Sequence, residues 1–286
     1  MITILVGNKF IDKNEVLLFL ACKLLHTSQL VGSKGIIPFF TNQITNQPFF
    51  ATGENDFYSQ NRNKIIIHEL NNYKDFKSGL KFYGSLNEGT VPFIIINNLT
   101  SLIKEEVSIR YKNVLKLSDK IKKEETEKLV KATLSWIVTV SEEKKISFMI
   151  AEEIEDGNNG AIFNNLLLEF YFISLNIFHL EYVKDKADIL LYKYKINKTF
   201  AQDLSYNFDL QLLDKKEASK IMKAKNKWRK FLLYNLVLYI KERKIYDEKC
   251  LKETEEINKE REENKEREEE ERVEYEGMAV DTFLCS

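Results

Sequence analysis

Short runs of β-branched and aromatic residues alternate along this chain with stretches whose apolar residues recur every three or four positions. The first kind reads as buried strand and the second as helix with one face on a core. Ile2–Val6 predicts an opening strand, and Glu15–Leu25 a helix with Val16, Leu17, Leu20 and Leu24 in step. Strands are expected at Ile36–Phe40, Lys64–Leu70, Val91–Ile96 and Lys145–Ala151, with a further apolar segment at Asn176–Leu180. Helices are expected at Asn72–Leu86, at Glu124–Val140, where Leu129, Thr133, Trp136 and Val140 share a face, and at Ala161–Phe172. Asn42–Asn63 reads as a polar loop, and Ile189–Ile196 with Leu204–Leu213 as a closing hairpin. Strands that are apolar throughout, with helices between them, predict an α/β domain whose sheet is largely parallel and covered on both faces. That domain spans residues 1–213. A basic helical extension (214–246) and an acidic, helix-prone or disordered tail (247–286) follow it.

Composition narrows the class. In 286 residues, 44% hydrophobic and 30% charged, there are only 10 Gly and 3 Pro, which excludes collagen-like and Pro/Gly-rich chains. The cysteines, Cys22, Cys250 and Cys285, are three and far apart, so no disulfide framework or metal knuckle is expected and a reducing compartment is implied. Neither Leu166–Leu180 nor Phe231–Ile240 reaches the ~18–20 clean apolar residues of a membrane span, and no secretory leader is visible at the start. A soluble cytosolic or nuclear protein is the expectation. The net charge of −1 hides a division, because residues 247–276 hold 15 acids against 7 bases. The body is therefore basic, which suits either a polyanion partner or a tail that screens a basic surface.

The first strand leads into Gly7-Asn8-Lys9-Phe10-Ile11-Asp12-Lys13-Asn14. In open α/β sheets ligands sit beyond the carboxyl ends of the strands. The phosphate-binding loop reads Gly, four residues, Gly, Lys, then Ser or Thr. Gly7 and Lys13 fall in register with it, whereas Asp12 replaces the second Gly and Asn14 the hydroxyl residue. Both changes are adverse. Asp12 adds a side chain where backbone N–H groups would wrap phosphate, and a negative charge worth roughly 4 kcal/mol at ~4 Å. Asn14 is a poorer magnesium ligand than a hydroxyl. A nucleoside triphosphatase also needs a buried strand ending in Asp. The candidate strand, Val91–Ile96, ends in Asn97-Asn98, and an amide can act neither as a base nor as a carboxylate ligand. The loop thus reads as a phosphate cradle that has lost its chemistry. The alternative is an ordinary α/β domain in which Gly7 makes a tight turn and Lys13 lies on the surface.

The order of these motifs resembles the RecA-type recombinase core. In that family a phosphate-loop strand and helix are followed by a strand reading apolar-Asp-Ser/Asn-Leu-Ser/Thr-x-Leu. Ile95-Ile96-Asn97-Asn98-Leu99-Thr100-Ser101-Leu102 is similar except at the Asp. Lys145–Ala151 resembles the next strand, which in the family ends in a polar sensor residue; Glu152 or Glu153 holds that place. Asp188–Lys195 resembles the late strand before the last hairpin. The resemblance covers residues 1–213 and implies a RecA-like three-layer fold with its first strand beside, or nearly beside, the Ile94–Ile96 strand. It also implies a non-catalytic subunit, a pseudo-ATPase needing no cofactor, that assembles with other RecA-like subunits. Two groups fit: recombinase paralogues with Shu-type mediators, nuclear proteins that act with single-stranded DNA, and the small RecA-like subunits of Elongator, which act on tRNA in wobble-uridine modification.

Residues 215–230 place eight cations and one anion beside Trp228. Lys216, Lys220, Lys223, Lys227 and Lys230 lie on one face of an ideal helix, and with Arg229 they are candidates for nucleic-acid phosphates. Trp228 is expected in the core instead. His26, His68 and His179 are too scattered for a metal site, and adjacent Glu152 and Glu153 should point apart rather than form an acid/base pair. No catalytic group and no metal ligand set emerges, and no membrane partner is expected.

Overall fold

The computed structural model describes residues 1–8, 11–26, 35–41, 62–112, 118–154, 177–183, 188–197, 207–213, 219 and 227–284. Its strands are β1 (Ile2–Asn8), β2 (Ile37–Thr41), β3 (Ile65–Glu69), β4 (Phe93–Asn97), β5 (Ser147–Ile154), β6 (Ile177–Val183), β7 (Asp188–Asn197) and β8 (Asn207–Leu212). Its α-helices are α1 (Lys13–His26), α2 (Tyr73–Ser85), α3 (Leu99–Arg110), α4 (Asp119–Lys144) and α5 (Lys227–Leu284). The strands form one sheet in the order β3-β2-β4-β5-β1-β6-β7-β8. Pairing is parallel from β3 to β6. The closing strands β7 and β8 run antiparallel. The α/β class, the mostly parallel sheet and the closing hairpin expected from the pattern are all present.

Connection handedness explains the layers. The β1–α1–β2 unit travels toward the β3 edge, while β3–α2–β4 and β4–α3–α4–β5 travel back. Right-handed crossovers moving in opposite directions must lie on opposite faces. Accordingly α2, α3 and α4 pack on the face showing Ile4, Val6, Ile94, Ile96, Phe148 and Ile150. The α1 helix packs on the other, with Leu5, Phe39, Ile95, Met149 and Phe178. The strand β4 shows why its sequence lacks alternation: all five residues are buried, since both sides meet helices. Each such Ile or Phe contributes about 1.5–3 kcal/mol by leaving water.

Local chemistry sets the helix ends. Asn72 caps α2 by accepting the Asp75 N–H at 2.9 Å while its own amide donates to the Asp75 carboxylate at 2.9 Å. Ser118 caps α4, which starts five residues before the expected Glu124. The α3 helix was not anticipated, because Leu99–Leu102 reads equally well as strand continuation. Helix Ala161–Phe172 and residues 42–61 of the expected Asn42–Asn63 loop lie outside the described residues, and the loop's last two residues open a 3-10 turn, Arg62–Lys64.

The chain divides into two compact units, Met1–Ile240 and Lys241–Ser286. In the first, the start of α5 covers the α1 face. Trp228 stacks on Phe93, with ring centroids 4.6 Å apart, and its Nε1–H donates to Thr3 Oγ1 at 3.0 Å. Tyr239 meets Phe19 edge-on and donates its hydroxyl to Glu15 at 3.1 Å. Trp228 is therefore core, as expected. In the second unit α5 continues as helix through the acidic segment. Its Glu-rich run is interleaved with Lys and Arg at helical spacing, which supports helix by ion pairs three and four residues apart. Among the described residues no helix is long and apolar enough to cross a membrane.

Candidate functional site

The carboxyl ends of β1, β2, β4 and β5 meet at one end of the sheet. Only β5 separates β1 from β4, so the two motif strands are near neighbours. The chain leaves β1 toward β2 on one side and later reaches β6 on the other, and a doubly wound sheet opens a crevice at such a point.

The loop differs from its expected form. Gly7 is not a tight turn: it lies in β1, paired with Glu153 and Leu180. A Cβ there would find Leu180 O at 3.6 Å and Lys13 Cγ at 3.7 Å, ordinary contact distances. Lys13 already begins α1, so the connection is shorter than Gly7–Asn14. Asp12 is the N-cap: its Oδ1 accepts the N–H groups of Asn14 at 2.9 Å and Glu15 at 3.2 Å, and its carbonyl accepts from Val16. A carboxylate is a favourable cap, since it meets both unpaired donors and the positive end of the helix dipole. The same donors would otherwise serve a phosphate.

Lys13 is not a surface side chain. It is 6% exposed, and its Nζ donates to Glu153 Oε2 at 3.1 Å. Glu152, next in the strand, points to the other face, as adjacent strand residues must. It is fully buried and meets the start of α3, accepting the Thr100 N–H at 3.2 Å and a short bond from the Thr100 hydroxyl. Asn98 enters that helix in the left-handed region, with φ 54°, and makes no side-chain cap. Glu152 supplies the cap from β5 instead. Burial pushes the Glu152 carboxyl up to about 7, against the opposing pull of the Thr100 bonds and of Lys13.

Asn14 and Asn97 also come together. Asn14 Oδ1 accepts from Thr41 Oγ1 at 3.0 Å and from Asn97 Nδ2 at 2.6 Å, joining α1, β2 and β4. Asn97 is 2% exposed, and its Oδ1 has no hydrogen-bond partner. The cluster Asp12, Lys13, Asn14, Thr41, Asn97, Thr100, Glu152 and Glu153 can thus bind the fold together. Where a phosphate loop carries a hydroxyl and its partner strand a carboxylate, this cluster has the amides Asn14 and Asn97. The sequence brought out Gly7, Asp12, Lys13, Asn14, Asn97 and Asn98, and offered Glu152 or Glu153 for the sensor position. Thr41 and Thr100 were missed as partners, because their roles depend on which strand ends lie side by side.

Other candidates stand apart. Lys216, Lys220 and Lys223 lie outside the described residues, as does the side chain of Arg229. Lys227 is exposed and Lys230 half-buried on α5. His26, His68 and His179 sit on α1, β3 and β6, each held below the usual imidazole range by burial. Among the described residues no cluster of His, Cys, Asp or Glu could hold a metal ion. No protein-family model matches this sequence, and no curated protein matches it.

Proposed function

We propose that the chain is a non-catalytic RecA-like subunit of a hetero-oligomeric complex, a recombinase-paralogue accessory factor in homologous recombination and DNA repair. One observation carries this reading. At the crevice where a triphosphate would lie, the groups that remain from a phosphate loop are bonded to the protein itself. Asp12 holds the helix N–H donors, Glu153 holds Lys13, and Asn14 and Asn97 hold each other. Such a site stabilises a scaffold and turns nothing over. In this reading the surface work falls to paralogous RecA-like partners in the nucleus. Single-stranded DNA is then a ligand for the basic stretch containing Lys216, Lys220, Lys223, Lys227, Arg229 and Lys230, through phosphate neutralisation. The antiparallel closing pair β7–β8 favours a second reading, a RecA-like subunit of Elongator in the cytoplasm, acting on tRNA.

Two measurements test these readings. Calorimetric titration with ATP and magnesium should give no saturable heat below about 1 mM. Sub-micromolar binding that disappears in Lys13→Ala would overturn the pseudo-ATPase reading. Purification of the tagged chain from its own cells should recover recombinase paralogues, whereas recovery of tRNA-modification subunits would replace the first reading by the second.

A further inference from the structure

We infer that the chain's own carboxylates occupy the places of phosphate groups in this cradle, and that removing them opens a polyphosphate-binding site. The inference rests on the pseudo-ATPase reading and deepens it: the ties from α1 and α3 to the sheet depend on no bound anion, because the anions are built in.

Each carboxylate does what a phosphate oxygen would do. Asp12 Oδ1 takes two N–H donors at the start of α1, at 2.9 Å and 3.2 Å. Donors at a helix start are the usual partners of a phosphate. Glu153 Oε2 lies 3.1 Å from the Nζ of Lys13, and a cation this deeply buried requires a counter-anion. Glu152 repeats the pattern one helix away, taking the N–H and hydroxyl of Thr100 at the start of α3. Asp12 and Glu153 thus meet the start of α1 and its buried lysine, while Glu152, from the opposite face of β5, meets the start of α3. An independent observation points the same way. Asn97 Oδ1 is buried beside Asn14 without a donor. Buried acceptors are almost always paired. The hydroxyl of a protonated phosphate, or the water of a hydrated cation, is the donor that would complete it.

Glu153 is only partly buried. Its side chain is 37% exposed, so water competes for it, while Lys13 beneath it cannot reach water as easily. Replacing Glu153 leaves a buried cation uncompensated, and a mobile anion then gains by entering. Replacing Asp12 by Gly frees the two N–H donors and removes the opposing charge.

The test uses the full chain and inorganic pyrophosphate. Calorimetry and thermal unfolding are recorded for the unaltered chain, for Glu153→Gln, for Asp12→Gly with Glu153→Gln, and for the latter pair with Lys13→Ala added. The unaltered chain should show neither heat nor a change in Tm. The double variant should melt lower than the unaltered chain and regain Tm as pyrophosphate is added, with binding at least ~10-fold tighter than the unaltered chain allows. Adding Lys13→Ala should abolish both effects. A merely structural ion pair predicts the lower Tm without the rescue. If the double variant does not fold, Glu153→Gln alone carries the test, since that side chain is partly exposed. A folded variant whose Tm does not respond to pyrophosphate, or responds equally without Lys13, overturns this inference and leaves the pseudo-ATPase reading standing. Lys13-dependent pyrophosphate binding by the unaltered chain overturns both.

Discussion

Replacing Glu152 by Gln should stabilise the protein above neutral pH and flatten part of its pH dependence. The side chain is fully buried, and burial raises its carboxyl from an ordinary 4.5 to about 7. Between those values the folded chain keeps a proton that the unfolded chain releases. Stability from this group is therefore complete below about pH 4.5 and is lost as pH rises through 7. At about 1.4 kcal/mol for each unit, the loss amounts to roughly 3 kcal/mol by pH 8. Gln has nearly the same shape and keeps an oxygen for the Thr100 N–H and hydroxyl, but it cannot ionise. Urea unfolding of both proteins at pH 5, 6, 7 and 8 isolates the effect, because other titrating groups cancel in the difference. The unaltered chain should lose about 2.5 kcal/mol relative to Glu152→Gln between pH 5 and 8. Parallel stability curves, or a difference that grows in the opposite direction, would refute the assignment of a buried, reluctantly charged carboxyl.

Three further outcomes follow from contacts elsewhere. An ideal Cβ at Gly79 would lie 2.7 Å from Phe40 Cε1 and 3.0 Å from Cζ, so the overpacking cost of Gly79→Ala, ~1–3 kcal/mol, should exceed the ~1 kcal/mol gained in helix propensity; a higher urea midpoint would contradict this. Trp228→Phe keeps the stack on Phe93 but loses the bond to Thr3, and chemical denaturation should register a loss of about 1 kcal/mol or more; an unchanged midpoint would show that this bond contributes nothing. The Cys22 thiol is buried and pushed up to about 12, so peptide mapping after iodoacetamide at pH 8 should find it unmodified in the folded chain and modified in urea; ready labelling of the native protein would contradict its burial.

Much of the fold could be read from residue patterns because it is a local matter of periodicity. Val16, Leu17, Leu20 and Leu24 share a helix face wherever that helix lies, and all are buried. The continuous run from Phe93 to Ile96 had to be covered on both sides, which implied a parallel strand between helix layers. The Leu99–Arg110 helix escaped because its first residues continue an apolar strand, and its capping carboxylate stands 54 residues after Asn98, too far away for any local pattern. The loop was legible in identity and misleading in shape. Asp12 reads as a lost glycine and an added charge; only once α1 starts at Lys13 is it a helix cap.

Sequence alone determined the α/β class, the order of the elements apart from the Leu99–Arg110 helix, the burial of their apolar faces and the absence of a carboxylate at Asn97. Those follow from spacing and residue type along a single stretch of chain. Tertiary structure decided that Lys13 lies buried against Glu153, that Glu152 caps a helix it does not precede, and that Asn14 bridges Thr41 and Asn97. The reason is that strand order brings together residues 27, 83 and 140 positions apart. The charge state and bonding of each group are set by those neighbours, which no periodicity encodes.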